Sequence, residues 1–325
     1  MKAAYIEKFG TPDVIKVGTL PDPVAGPGQV VVDVAAASIN GADWKVAAGE
    51  YKQVNFPVIL GRDFSGTVSS VGAGVTDLKV GDEVFGVLET GRDGTYCEKL
   101  AVGAAVVAKK PASLSHVDAT ALALIGLTAI CAVEESLKLQ KGETILIQGG
   151  AGGVAGFAIQ LAKHLGARVI ATGGDDRRLA IVKQNGADEV VNYRTADFVA
   201  AVKELTGGKG ADVIYDPVGG EVLEKSMRAA AYGARLLVVG FTSGGPSRLM
   251  SNHVLIKGLT VMGVRAGETL LRQPHMGYSY EELPKLAALG VMRPNISHRF
   301  PMDRVADAFR ALLDRQVVGK AVIEM

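Results

Sequence analysis

Cysteine is almost missing from this chain. Only Cys97 and Cys131 occur among 325 residues, and neither belongs to a CxxC pair. That excludes a disulfide framework and a thiolate zinc site. Both thiols read as small buried hydrophobes in a reducing compartment. An excess of charge is missing as well. The formal net charge is +1, which leaves no basic surface for nucleic acid and no acidic tail. The five histidines (His116, His164, His253, His275 and His298) are scattered. The longest apolar stretch, Ala119 to Val133, falls short of the ~20 residues that span a bilayer, so a buried helix is expected there. The start, Met1-Lys2-Ala3-Ala4-Tyr5-Ile6-Glu7-Lys8, has no apolar core of a signal peptide. Together these absences predict a cytoplasmic protein with neither nucleic-acid nor membrane partners.

What is present is ordinary globular material, 48% apolar and 21% charged, in a chain long enough for two domains. Glycine and proline punctuate residues 1–115 at the spacing of an all-β region. Strand-like runs there include Val30–Ala37, Gly66–Gly72 and Gly81–Gly86. From about residue 117 the texture changes. Strands are predicted at Thr144–Gln148, Arg168–Thr172, Glu189–Tyr193, Ala211–Asp216 and Arg235–Gly240. Helices between them are predicted at Gly156–Leu165, Arg177–Asn185, Thr195–Thr206 and Val222–Ala231. This β-α-β-α order predicts a parallel, doubly wound sheet. Weaker helical patterns at Leu283–Leu289 and Val305–Leu313 precede a closing strand at Gly319–Glu324. The doubly wound unit therefore reads as an insertion in a β-rich domain.

The strongest motif is Gly149-Gly150-Ala151-Gly152-Gly153-Val154-Ala155-Gly156. It follows a buried strand and opens a helix. Glycines there permit a tight turn, let backbone N–H groups approach a pyrophosphate, and place it in the field of a helix N-terminus. A plain strand-to-helix loop would not need so many. The type of dinucleotide is read at the next strand's tip. An acid there would hold a ribose 2′-OH, and cations there suit a 2′-phosphate. This chain has Gly173-Gly174 at the tip, followed by Asp175-Asp176-Arg177-Arg178. The two arginines favour NADPH, although they also fit a solvated helix face.

The order of motifs resembles a known family over essentially the whole chain. The carrying residues are Met1-Lys2-Ala3, Phe9-Gly10 with Pro12, Pro27-Gly28-Gln29-Val30, Asn40-Gly41-Ala42-Asp43 and Gly61–Val68. Val80–Val84, Gly126-Leu127-Thr128-Ala129, the glycine turn with Gln160-Leu161-Ala162, Gly186-Ala187-Asp188 and Gly319-Lys320 complete the set. These are similar to the zinc-independent medium-chain dehydrogenases/reductases, and within them to the NADPH:quinone oxidoreductases of the zeta-crystallin type. The resemblance implies an α/β fold in which a Rossmann domain, residues 124–264, is inserted in a GroES-like β-barrel catalytic domain, residues 1–123 and 265–325. It also implies a cleft between them. Ala151, Gly152, Gly153 and Val154 would then contact the pyrophosphate, and Gly173, Gly174, Arg177, Arg178 and Tyr193 would surround the adenosine 2′-phosphate. Val218, Gly240 and Phe241 would border the nicotinamide ribose, Thr128 the carboxamide, and Val264, Arg265 and Lys320 would close over the cofactor.

Two positions depart from the family pattern. Ala155 stands for the third glycine, and Lys45 stands where several quinone reductases carry a tyrosine. The positions that hold catalytic zinc in related alcohol dehydrogenases are Asn40, Arg62 and Asp63 here. The nearby cysteine is replaced by Leu124 or Ile125, and the four-cysteine lobe is missing. Zinc needs converging thiolate, imidazole or carboxylate ligands, so no metal is expected. Alcohol oxidation is then disfavoured, and hydride delivery to an electron-poor acceptor remains. Asn40 and Lys45 are the candidates to steady a developing oxyanion, with Asp43 orienting them or serving as a loop carboxylate. Tyr51 either lines the cleft or packs the barrel. Arg62 either binds an anionic acceptor or pairs with Asp63. Quinone reduction leads, followed by reduction of an activated C=C bond in an enal, enone or enoyl thioester. A third reading is an NADPH-binding structural or regulatory protein without activity. The resemblance further implies a homodimer, joined through a sheet edge near Leu259-Thr260-Val261-Met262 or leaving that segment as an inner strand.

Overall fold

Runs of β-branched residues make two separate β-systems. The computed structural model describes residues 1–50, 55–88, 94–266 and 278–325, and it divides into two units: 1–124 with 280–325, and 125–279. The division thus lies at Leu124/Ile125 and Ser279/Tyr280.

In the first unit the amino-terminal strands are β1 (Lys2–Ile6), β2 (Lys16–Thr19), β3 (Gln29–Ser38), β4 (Val58–Ile59), β5 (Asp63–Val71), β6 (Glu83–Val87), β7 (Lys99–Gly103) and β8 (Val107–Lys109). They are joined by β15 (Ile296–Pro301) and β16 (Lys320–Glu324) from the carboxyl end. One sheet runs β2-β1-β4; the larger runs β15-β16-β3-β5-β6-β8, with β7 also on β3. Strand β3 alternates Val30, Val32 and Val34 onto a core with Phe64, Val68 and Leu100, as a period of two requires. β16 pairs antiparallel with the end of β3, Val322 against Ser38. This brings the last residues of the chain beside Ser38–Asn40. Two register shifts bend β3 against β5, the means by which a sheet curls into a barrel. A short helix not anticipated from periodicity, α1 (Gly41–Ala47), follows β3.

The helix α2 (His116–Ile130) is apolar all round and therefore buried. It continues through a wider turn, Cys131–Ser136. The whole helix then has 21 residues, long and apolar enough to cross a bilayer by length alone, contrary to the expectation from the apolar run. Three residues at each end, His116-Val117-Asp118 and Glu134-Glu135-Ser136, supply the extra length. Since 78% of its most apolar stretch is buried in the protein, it is built as a core helix.

The second unit alternates β9 (Thr144–Ile147), α3 (Gly153–His164), β10 (Arg168–Gly173), α4 (Asp176–Gln184), β11 (Glu189–Asn192), α5 (Phe198–Leu205), β12 (Ala211–Asp216), α6 (Glu221–Ala229), β13 (Ala230–Val238), α7 (Ser251–Lys257) and β14 (Thr260–Gly263). All pairings are parallel in the order β11-β10-β9-β12-β13-β14. This is the doubly wound order that reverses between the first and fourth strands. Leu146, Ile170, Ile214 and Leu236 on neighbouring strands form its core with Phe198 and Met227. α6 ends and β13 begins earlier than expected, at Ala229 and Ala230. Gly233, at φ +74°, and a register shift near Ala211 absorb the longer strand. The boundary at Ser279/Tyr280 falls in the first turn of α8 (Tyr278–Ala288), and α9 (Val305–Leu313) follows in the first unit.

Candidate active site

Two polar constellations stand out, one in each unit. In the second, the glycine turn is held by side chains beneath it. Thr172, at the end of β10, accepts the Gly149 N–H at 3.0 Å and donates to Gln148 Oε1 at 2.7 Å. Gln148 Nε2 in turn donates to Ser226 Oγ at 2.9 Å. Gly149 has φ +61°, a left-handed conformation that favours glycine. A Cβ on Gly150 would lie 3.0 to 3.2 Å from Val182, Ile159 and Ala171. No side chain caps α3, whose N-cap is Gly152. The opening N–H groups of a helix have no intrahelical partner, and those of Gly153 to Ala155 are the ones an acceptor at this end would meet.

The other residues expected around a dinucleotide lie at the same ends of the strands. Gly173 ends β10 and Gly174 follows it; Tyr193 follows β11; Val218 follows β12; Gly240 and Phe241 follow β13; Val264 and Arg265 follow β14. The Ser243 N–H donates to Val218 O at 2.9 Å, tying the third and fourth of these loops together. Arg177 is exposed in the first turn of α4. Arg178 is engaged: its backbone N–H and its guanidinium both bond the carboxylate of the N-cap Asp175. Thr128 lies within α2 instead of at a strand end.

In the first unit, Asn40, Asp43, Asp63 and Lys320 are brought together with Ser38 and Tyr96, all buried. Lys320, from β16, donates from Nζ to Asn40 Oδ1 at 2.6 Å and to Ile39 O at 3.1 Å, and lies 3.7 Å from Asp63 Oδ2. Asn40 Nδ2 donates to Asp63 Oδ1 at 2.5 Å and to Ser38 O at 3.4 Å. Ser38 Oγ donates to Asp63 Oδ2 at 2.6 Å. An ammonium only donates and a carboxylate only accepts, so the Asn40 amide has one permissible orientation, with both ends occupied. The oxyanion-donor role expected for Asn40 therefore does not fit this arrangement without breaking one of these bonds. Asn40 is a spacer between a cation and an anion.

Asp43 completes the cluster. Its Oδ2 accepts the Asn40 N–H and the Tyr96 hydroxyl, each at 2.8 Å, while buried Oδ1 has no hydrogen bond among the described residues. Burial foremost, and then the charge of Asp63, push its pKa up to about 7, against the pull of Tyr96, the Asn40 N–H and Arg62. Burial likewise raises Tyr96 and lowers Lys320, the latter opposed by Asp63 and Asp43. Tyr96 and Asp63 were not singled out as functional. The readable signal was the Asn40…Asp43 spacing, which is that of a helix start whose acid reaches back to the first N–H.

The remaining expectations fall apart from this cluster. Lys45 is half-exposed and pairs with Glu50 at 3.5 Å, one helix face away from the buried acids. Arg62 donates to Leu88 O at 3.0 Å and does not pair with Asp63. Tyr51 lies outside the described residues. The zinc-equivalent positions do not fit a zinc ion: the set offers one amide and one carboxylate, with the Lys320 ammonium already between them. Among the described residues, no group of three or more His, Cys, Asp and Glu could hold a metal.

Comparison with known proteins agrees with both units. Residues 26–113 match the alcohol dehydrogenase GroES-like domain, and residues 153–283 match the zinc-binding dehydrogenase domain. The chain is 33% identical to quinone oxidoreductase-like protein 2 of Rattus norvegicus, over 94% of this chain and 87% of that one. Among solved structures, Escherichia coli quinone oxidoreductase complexed with NADPH superimposes with TM-score 0.93 at 28% identity, covering 100% of both chains. A 2-haloacrylate reductase superimposes with TM-score 0.88 at 28% identity, covering 100% of this chain and 99% of the other. The GroES-like unit, the inserted doubly wound sheet and these full-length matches lead to one conclusion: the chain belongs to the quinone oxidoreductase family of the medium-chain dehydrogenases/reductases, and its fold is that of an oxidoreductase.

Proposed function

We propose that this chain is an NADPH-dependent reductase that passes hydride to a quinone without a metal ion. The observation that carries the reading is the buried Lys320 ammonium between Asn40 and Asp63. It stands where a catalytic cation would be needed and would repel one. Without a Lewis acid to stabilise an alkoxide, an acceptor that is already electron-poor is the better partner. Bound NADPH supplies the hydride. One quinone, one hydride from NADPH and one proton from solvent give a hydroquinone and leave NADP+. The chain's own residues orient and shield. Gly149 to Val154 hold the pyrophosphate against the α3 N-terminus, and Gly173-Gly174 leave room at the ribose. Asn40, fixed from both sides, keeps its backbone and α1 in place. Lys45, half-exposed on α1 with Glu50 as its partner, is the cation that would steady an oxyanion by leaving that pair.

The second reading, reduction of an activated C=C bond, is supported by the similarity to 2-haloacrylate reductase. One assay separates them. NADPH and NADH oxidation is followed with 1,4-naphthoquinone, 1,2-naphthoquinone, an enal and crotonyl-CoA. Turnover confined to the quinones supports the first reading, and turnover confined to the enal or thioester replaces it with the second. No turnover with any acceptor would favour a binding protein. We further propose a cytoplasmic homodimer joined along β14, which, among the described residues, lies at the sheet edge beside β13.

A further inference from the structure

The tip of β10 is shaped by residues from β11's exit. A Cβ on Gly174 would lie 2.5 Å from Tyr193 Oη, 2.9 Å from its Cζ and 3.4 Å from Arg194 Nε. Any side chain there would displace the phenol. The glycine thus lets a hydroxyl and a guanidinium close on the strand end where a dinucleotide's adenosine ribose is read. The backbone at Arg194 is fixed by its turn, its N–H donating to Asn192 Oδ1 at 3.0 Å.

The cations around the tip are not equivalent. Arg178 is bound through backbone and guanidinium to Asp175, so its charge is already answered. Arg177 points from the exposed first turn of α4. Arg194 has an exposed guanidinium that makes no hydrogen bond or ion pair among the described residues, yet its charge reaches Asp175 at the strand tip. A doubly charged phosphate is best met by an uncommitted, forked guanidinium.

We propose that Arg194 is the residue that selects a 2′-phosphorylated dinucleotide, forming with Tyr193 and the bare backbone of Gly174 the pocket for its 2′-phosphate. The proposal rests on the NADPH reading above and assigns its selectivity to a residue outside the glycine turn and outside α4.

The test is calorimetric binding of 2′,5′-ADP and 5′-ADP to the full chain, as wild type and as Arg194→Gln, Arg194→Lys and Arg177→Gln. Wild type is expected to prefer 2′,5′-ADP. Arg194→Gln is expected to lose about tenfold or more for 2′,5′-ADP, with 5′-ADP held within about twofold, because one charge-assisted contact is removed. Arg194→Lys recovers part of the loss. If wild type prefers 2′,5′-ADP and Arg194→Gln still does so to the same degree, the proposal falls while the NADPH reading stands. A larger loss in Arg177→Gln than in Arg194→Gln also overturns it. Equal loss of both ligands in Arg194→Gln would show a structural role instead. A wild type without preference overturns the NADPH reading itself.

Discussion

Replacing Lys320 by methionine tests the buried cluster most sharply. Methionine keeps most of the apolar stem and deletes the ammonium. Lost with it are the bonds to Asn40 Oδ1 at 2.6 Å and Ile39 O at 3.1 Å, and the counter-charge 3.7 Å from Asp63. Asp63 is 0% exposed and, among the described residues, would keep Ser38 and Asn40 as donors. Removing one partner of a buried ion pair costs about 3–5 kcal/mol, because the other charge stays in a poor solvent. Asp63→Asn added to Lys320→Met should recover about 2 kcal/mol or more of that, since the stranded charge is gone. Trp44 offers a local probe. It is the single tryptophan, it sits on α1, and its ring lies 6.1 Å from that of Phe309. Urea unfolding followed by Trp44 fluorescence therefore reports the first unit. A loss below about 1 kcal/mol in Lys320→Met, or no recovery in the double variant, would refute the view that Lys320 neutralises Asp63.

Other consequences follow from the same geometry. Asp43 has a folded-state pKa raised to about 7 from 3.8, so protonation favours the folded state. Its contribution is fully present below pH 3.8 and is lost as pH rises through about 7, at up to about 1.4 kcal/mol per pH unit. Asp43→Asn should flatten that dependence, and an infrared carboxyl band that disappears near neutral pH should be missing from the variant; a band unchanged by Asp43→Asn would contradict the assignment. The hydroxyl of Tyr215 is fully buried and has no hydrogen-bond partner among the described residues. Tyr215→Phe is accordingly expected to leave the second unit as stable or to stabilise it by about 1 kcal/mol, which thermal unfolding would check. On α7, beside the edge strand β14, Leu255 and Ile256 are 83% and 69% exposed. Ile256→Glu should shift a sedimentation profile from dimer toward monomer, whereas a monomeric wild type would rule out the proposed assembly.

Much of the second unit was legible because β-branched runs and glycine stops recur with the period of its strands and helices. The glycine turn was legible because a strand precedes it and an apolar helix follows. The first unit was harder. Lys320 and Asn40 are 280 residues apart in the chain, and no local pattern announces that β16 will lay one beside the other. Asn40 and Asp43 looked like reactive polar groups, while their spacing also encodes the start of α1, which carries the structural part of their role. Lys45 was read as a partner of Asn40 from proximity in sequence. Asn40 caps the helix and Lys45 lies more than a turn further on, so the helix carries it away from the buried acids and it pairs with Glu50 beyond the end of α1. Arg194 was passed over beside Tyr193 because its meaning comes from a glycine twenty residues earlier on the neighbouring strand.

The central claim is metal-free hydride transfer from NADPH to a quinone. Its most direct test is NADPH oxidation with 1,4-naphthoquinone by protein stripped of metal and assayed in chelator, with residual zinc measured on the same sample. Undiminished turnover with NADPH, and weaker turnover with NADH, is the predicted result. Activity that disappears with chelation and returns with zinc would contradict it.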